Sequence, residues 1–375
     1  VVSMFREVCK KVLDGFIETL ENIGIKFDKF DWESDILWSN RVYEIIGELN
    51  SKNWILRDAT GALYLDIRRG LKERQDLRSL FGITDDILRK ALEEGKEDEI
   101  LPPNLVLVRQ DGTTLYTTRD IAYALYKIQD NDVYRVYNII GKDQTLAQKQ
   151  LKAALLLAGF EKEAEKIYHI PYELVIFPGA KISARRGRYI TFDEIIDEAK
   201  ERAYFEVEKR HEALSTKEKL EIAMKIATGA VKYALLSTAP DKPITFDWAR
   251  VLDFERNSGP FLQYSYARAS SIIRKAQYKL PDPTETNFSS LKEDVEKDLI
   301  FQLARFPEIV EEAGNKLRPD VIVEYANKLA LMFNSFYQRF PVLKAKTDEL
   351  RKARLLLVEA FRIVLKNALE LLGIP

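Results

Sequence analysis

From Thr191 to its last residue the chain carries almost no strand signal, and this narrows its possible folds more than any other feature. Apolar residues there recur at helical spacing, which predicts helices over 192–212, 216–228, 247–256, 261–278, 290–304, 319–339 and 348–372. Two proline-bounded stretches, Pro240-Asp241-Lys242-Pro243 and Pro281-Asp282-Pro283, interrupt them. An all-α bundle is expected for this half.

Before Thr191 the pattern alternates. A first helix carries Phe5, Val8, Val12, Phe16, Leu20 and Ile23 on one face and stops at Gly24; Cys9 lies within it and is expected in the core. Ile25-Lys26-Phe27 reads as a short strand. Leu105-Val106-Leu107-Val108-Arg109 and Thr113-Thr114-Leu115-Tyr116 flank a Gln110-Asp111-Gly112 turn, which predicts a hairpin. A helix over 119–128 follows, with Thr117…Asp120 spaced as a capping box. A strand over 133–140 ends at Gly141, a helix over 146–158 ends at Gly159, and a strand over 172–177 breaks at Pro178-Gly179. Alternation of this kind predicts an α/β fold with a parallel sheet, whose ligands bind beyond the C-terminal ends of the strands.

The bulk numbers bound the function. A length of 375 residues suits two or three domains. Lys and Arg number 58 against 59 Asp and Glu, so any nucleic-acid surface is a local patch and not a basic coat. Charged residues at 31% exceed the usual share, as thermophilic proteins do. With Cys9 as the only cysteine there is no intrachain disulfide, which fits a reducing cytoplasm. No stretch reads as a membrane span or a signal peptide. The chain opens at Val1 inside a helical pattern, and a preceding segment is expected.

Four constellations could carry chemistry. Lys181-Ile182-Ser183-Ala184-Arg185-Arg186-Gly187-Arg188 places four cations and small residues at the mouth of a helix capped by Thr191…Glu194. Lysine, arginine and serine donors on a loop the backbone can fold closely suit a polyphosphate; the bland alternative is a solvated basic loop. Tyr116 and Asp120, four apart at a strand-to-helix junction, could converge on a cationic ligand, although a first-turn carboxylate is also good capping. Gly141-Lys142-Asp143-Gln144-Thr145 ends a buried strand, where Gln144 offers both donor and acceptor, or is part of an ordinary turn with Thr145 as cap. Phe261-Leu262-Gln263-Tyr264-Ser265-Tyr266-Ala267-Arg268 and Phe333-Asn334-Ser335-Phe336-Tyr337-Gln338-Arg339-Phe340 mix aromatics with arginine, as base-stacking surfaces do and as bundle cores do. The two histidines, His169 and His211, lie at no metal-ligand spacing.

Together these segments resemble a class I aminoacyl-tRNA synthetase, specifically an arginyl-tRNA synthetase of archaeal type. Asp111-Gly112-Thr113-Thr114-Leu115-Tyr116-Thr117-Thr118-Arg119-Asp120-Ile121-Ala122 is similar to that family's Asp-Gly-Thr-Thr-Leu-Tyr-x-Thr-Arg-Asp-Ile-Ala motif. Lys181-Ile182-Ser183-Ala184-Arg185 resembles its variant of the Lys-Met-Ser-Lys-Ser loop, with Ile182 for Met and Ala184 for the second Lys. Gly259-Pro260-Phe261-Leu262-Gln263-Tyr264 and Phe336-Tyr337-Gln338-Arg339-Phe340-Pro341-Val342-Leu343 resemble segments of its helical anticodon-binding domain.

The resemblance implies a fold and roles. Residues 1–180 would be the C-terminal part of a partial Rossmann-like catalytic domain with an inserted segment, 181–245 an ATP-loop and helical connector, and 246–375 the α-helical anticodon-binding domain. Tyr116, Asp120 and Gln144 would hold L-arginine. Lys181, Ser183, Arg185 and Arg186 would hold the triphosphate of ATP, with Mg2+ from solution and no resident metal or organic cofactor. On stacking grounds Tyr264, Arg268 and Tyr337 would contact the tRNA. The family's His-x-Gly-His element is not in this chain, so it is expected to be a C-terminal portion inactive alone, from a monomeric cytoplasmic parent. The rivals are a non-catalytic tRNA-binding paralogue and a helical interaction module.

Overall fold

A computed structural model describes residues 2–129, 133–178, 190–277 and 279–375. The chain divides into two compact units, one of Phe27–Glu173 and one of Val1–Lys26 with Leu174–Pro375.

In the first unit β1 (Ile55–Arg57), β2 (Leu63–Leu65) and β3 (Leu105–Val108) form an antiparallel sheet in that order. The predicted hairpin shrinks to a single bridge between Val108 and Thr114 around Gly112, whose φ of 82° only glycine adopts at low cost. Tyr116 already starts a helix, Tyr116–Gln129, so Thr117 and Asp120 lie inside it and do not form the expected capping box. Thr118 Oγ1 instead donates to the Leu107 carbonyl at 2.9 Å, tying the helix start to β3.

The parallel element is β4 (Val136–Gly141) beside β5 (Ile167–Tyr172), joined through helix Thr145–Ala158 and in register from Val136 opposite Ile167 to Gly141 opposite Tyr172. The alternation predicts such a βαβ unit, but its second strand is Ile167–Tyr172 and not 172–177, where only Val175–Ile176 forms a further strand, paired elsewhere. His169 sits across it, with Nε2 3.1 Å from the Ile140 carbonyl oxygen. The helix buries Leu151, Ala154, Leu155 and Leu157 and ends on Gly159 at φ 87°. The core of the unit gathers Leu49, Leu65, Ile67, Leu71, Leu107, Ile121 and Leu151.

The second unit is mostly helical. β6 (Val175–Ile176) and β7 (Ile244–Thr245) make a short parallel pair. The long helices are Phe192–Arg210, Thr216–Leu236, Gly259–Lys275, Asp320–Arg339 and Asp348–Leu371, and capping boxes open the first two at Thr191 and Ser215. Phe261, Phe333 and Phe336 lie in the bundle core with Tyr266 and Phe340 packed against it, so most aromatics of the two mixed runs are packing residues. Ile25-Lys26-Phe27 forms no strand, and helix Phe306–Lys316, opened by Pro307, was not predicted. In helix Val2–Asn22 the expected apolar face is exposed at Phe5, Val8, Val12 and Phe16, and Cys9 is exposed, not in the core.

Helix Gly259–Lys275 crosses helix Thr216–Leu236 at two glycines. A Cβ at Gly259 would fall 2.5 Å from the Gly229 carbonyl carbon and 2.9 Å from the Ala230 nitrogen. Those atoms are backbone and cannot rotate aside. Gly259→Ala is therefore expected to cost about 2–3 kcal/mol by forcing the helices apart, read as an equivalent loss in a urea denaturation curve. Gly314→Ala, where a Cβ meets nothing within 4 Å, is the matched control that leaves the curve within about 1 kcal/mol.

Candidate functional site

Asp120 lies on helix Tyr116–Gln129, one turn after Tyr116 and on the same side of it. It opens on a cavity of about 210 Å³ that Asp31, Trp32, Glu33, Ile36, Arg119 and Tyr123 also line. Three carboxylates thus share one small pocket. Burial pushes the Asp120 carboxyl above the ordinary carboxylate range; the Glu33 charge adds to this, and Lys127 and Arg119 oppose it. No hydrogen bond among the described residues reaches the Asp120 carboxylate.

Its neighbours are held. Arg119 Nη1 donates to Glu33 Oε1 at 2.7 Å and Nη2 to the Thr114 carbonyl at 2.9 Å. The Tyr123 hydroxyl donates to Asp31 Oδ2 at 2.9 Å. Burial, and then that hydrogen bond, push the Tyr123 phenol up to about 12. The structure therefore builds an anionic pocket in which one carboxylate is left with open lone pairs. A planar cation with several N–H donors suits it better than a point charge.

The Tyr116 hydroxyl donates to Gln144 Oε1 at 3.4 Å, joining the helix start to the end of β4. Gln144 Nε2 donates to Asp143 Oδ2 at 3.2 Å. Thr145 is not the cap of its helix; its hydroxyl donates to the Lys142 carbonyl at 2.6 Å. The structure thus brings Tyr116 and Gln144 together, while the Asp120 cavity is lined by neither. Asp31 and Glu33 were missed in the sequence. Their separation from Asp120 along the chain left no spacing to read, and helix Glu33–Trp38, which Glu33 opens, was not predicted.

Lys181, Ser183, Arg185 and Arg186 lie outside the described residues. The anchor behind them is described. Thr191 Oγ1 accepts from the Glu194 N–H at 3.2 Å, and Glu194 Oε2 accepts from the Thr191 N–H at 2.7 Å.

In the helical unit the three predicted contact residues meet. The Arg268 guanidinium lies 4.7 Å from the Tyr264 ring centroid and 5.0 Å from that of Tyr337. Tyr264 is 49% and Tyr337 40% exposed, so each ring keeps a face open. Arg268 Nη1 donates to Asn334 Oδ1, and Asn334 Nδ2 donates to Ser265 Oγ at 2.9 Å. Asn334 and Ser265, also missed in the sequence, fix the guanidinium plane between the rings. Tyr264 further borders a cavity of about 440 Å³ with Phe254, Pro260, Arg210, His211 and Pro375. Aromatic faces beside a fixed guanidinium can stack an unpaired base and contact its phosphate. Among the described residues no cluster of His, Cys, Asp and Glu could hold a metal, and no helix is long and apolar enough to cross a membrane.

The chain is similar to known proteins in sequence and fold. Residues 94–248 match a family model described as "tRNA synthetases class I (R), catalytic domain", and residues 262–375 match one described as "DALR anticodon binding domain". Arginine–tRNA ligases of Korarchaeum cryptofilum and Ignicoccus hospitalis are each 43% identical to the chain across 100% of it. The chain spans 57% and 56% of their lengths, little more than half. Among solved structures, Thermus thermophilus arginyl-tRNA synthetase matches with a TM-score of 0.82 at 28% identity, over 99% of this chain and 63% of that one. A Mycobacterium tuberculosis methionyl-tRNA synthetase shares the fold at a TM-score of 0.63 and 13% identity, over 96% of this chain and 77% of that one. A class I catalytic segment with a small parallel sheet, a helical anticodon-binding segment and these identities together place the chain in the arginyl-tRNA synthetase family, archaeal type.

Proposed function

We propose that this chain serves the ATP-dependent attachment of L-arginine to its tRNA in the cytoplasm. The observation that carries the reading is the half-buried Asp120 carboxylate, open to a ligand inside a pocket shared with Asp31 and Glu33. A substrate guanidinium would pair with Asp120, within reach of the negative field of Glu33, while Tyr116 and Gln144 would meet the rest of the amino acid. The substrate carboxylate then attacks the α-phosphate of ATP, pyrophosphate leaves, and the tRNA 3′ hydroxyl displaces AMP from the adenylate. Positioning and charge neutralisation do most of this work, so no nucleophilic side chain is needed. Lys181, Ser183, Arg185 and Arg186 would neutralise the triphosphate together with Mg2+ from solution. Tyr264, Arg268 and Tyr337 would stack and hold anticodon bases.

The proposed division of labour follows the chain: catalytic segment to residue 180, ATP loop and connector to 245, anticodon-binding helices to 375. Lacking a His-x-Gly-His element, the chain alone is proposed to bind its substrates without completing the adenylate. The acid side of its arginine binding tests the reading. A bound guanidinium favours the ionised carboxylate, so affinity is full above the raised Asp120 midpoint and falls as pH falls through it. Calorimetric titration with L-arginine should therefore show weakening that begins above the ordinary carboxylate range of about 4. Affinity that stays flat down to that range would count against Asp120 as the guanidinium partner.

A further inference from the structure

Behind the Asp120 pocket runs a buried polar chain that arginine recognition does not by itself require. Lys127 follows Asp120 by seven residues, two turns along the same face of helix Tyr116–Gln129. Its ammonium donates to Asn138 Oδ1 on β4 at 2.8 Å, and Asn138 Nδ2 donates to Gln148 Oε1 on helix Thr145–Ala158 at 2.8 Å. Both amides are buried. The same ammonium lies 4.7 Å from the Tyr123 ring centroid, and Tyr123 holds Asp31. One lysine is thus clamped by two helices and a strand behind a pocket walled by three carboxylates.

That placement is costly, since burial pushes the Lys127 ammonium below its ordinary range, against the attraction of Asp120 and Asp31. A packing role would be met by a leucine or methionine at no such cost. The other cations around the pocket pair with Glu33 and Asp31 or stack on a neighbouring ring, and none of them donates to Asp120. Arg119 is held by Glu33 and the Thr114 carbonyl. Lys29 donates to the Tyr126 hydroxyl at 2.7 Å and pairs with Asp31 Oδ1 at 3.1 Å. Arg41 stacks over the Tyr126 ring at 5.4 Å. Lys127 is the cation placed on the interior side. Without it, desolvation and the Glu33 charge would favour the protonated form of Asp120 in the empty pocket.

We propose that Lys127 is a positioning residue: fixed by Asn138 and Gln148, it holds Asp120 ionised and open before a cationic substrate arrives. The proposal rests on reading the pocket as the arginine site, and its test separates the two. Side-chain carboxyl resonances are followed by carbon-detected NMR through an acid titration of the 375-residue chain, Asp120 being assigned by its loss in Asp120→Asn. In Lys127→Met the Asp120 midpoint should rise by about one pH unit, and in Lys127→Arg it should stay within a few tenths. Lys127→Gln keeps a donor for Asn138 without the charge and should show the same rise, so a folding defect in Lys127→Met leaves the test intact. L-arginine binding to Lys127→Gln should begin to weaken about one pH unit higher than binding to the unchanged chain, by up to about tenfold on the acid side of the midpoint, and be nearly normal well above it. An Asp120 midpoint that does not move in either neutral variant overturns the proposal. A midpoint that moves as expected, with arginine affinity unchanged in Asp120→Asn, sustains the charge-holding role and overturns the arginine reading instead.

Discussion

Asp120→Asn is expected to weaken L-arginine binding by about 3 kcal/mol, roughly a hundredfold, while leaving the melting temperature unchanged or higher. The two halves of that outcome have separate causes. The amide is nearly isosteric but neutral, so it loses the charge-assisted pair with the guanidinium and presents N–H groups where acceptors are needed. In the empty protein the same change removes a half-buried charge that Glu33 repels and that no hydrogen bond among the described residues satisfies. Function and stability therefore move in opposite directions, as they do where a site is kept strained for its ligand. Equal arginine affinities for the two proteins, by calorimetry at neutral pH, would remove Asp120 from the site.

The second large effect is structural. Arg354→Met is expected to cost about 3–5 kcal/mol in urea denaturation. The Arg354 and Glu296 side chains are 6% and 0% exposed and pair at 2.7 Å. Arg354 also donates to the Pro341 carbonyl at 3.0 Å and stacks 5.1 Å from the Phe340 ring centroid. Removing the guanidinium leaves Glu296 charged in the bundle core and the Pro341 carbonyl unpaired. Adding Glu296→Gln should recover part of the loss, because the neutral amide ends the uncompensated charge. Recovery is incomplete because the Pro341 carbonyl stays unpaired, whereas the Gln amide oxygen can keep the bond that Glu296 Oε2 accepts from the Glu293 N–H at 3.1 Å at the start of helix Asp294–Ala304. A loss below about 1 kcal/mol in Arg354→Met would mean the pair is solvated and the core is looser than described.

What could be read in the sequence follows what is local. The helical half was legible because helix periodicity and capping need only neighbours within four residues, and the Thr191…Glu194 box formed as read. The βαβ unit was legible in its buried strand Val136–Gly141 and its Gly159 stop, although Ile167–Tyr172, with Pro171 and His169 in it, gave no clean strand pattern. Misreadings arose where distant partners decide. For Asp120 the spacing left a ligand role and a capping role both open, and it said nothing of Glu33 and Asp31, which only tertiary packing brings to the same cavity. The apolar stripe of helix Val2–Asn22 marked a surface to be covered, but periodicity says nothing about what covers it, and in this chain Phe5, Val8, Val12 and Phe16 face solvent. In the helical unit, Tyr264, Arg268 and Tyr337 were picked for their chemistry alone. The structure places them in one cluster through Asn334 and Ser265, whose small polar side chains carry no pattern of their own.

The proposal that this chain binds both an amino acid and the tRNA that receives it is tested most directly on the RNA. Binding of an arginine tRNA transcript is compared with that of the same transcript carrying a changed middle anticodon base, at matched salt so that phosphate attraction cancels. The synthetase reading predicts at least about a tenfold loss on the base change, the size expected when a stacked and hydrogen-bonded base no longer fits. Equal affinity for the two transcripts would contradict it, leaving a surface that holds RNA by charge alone.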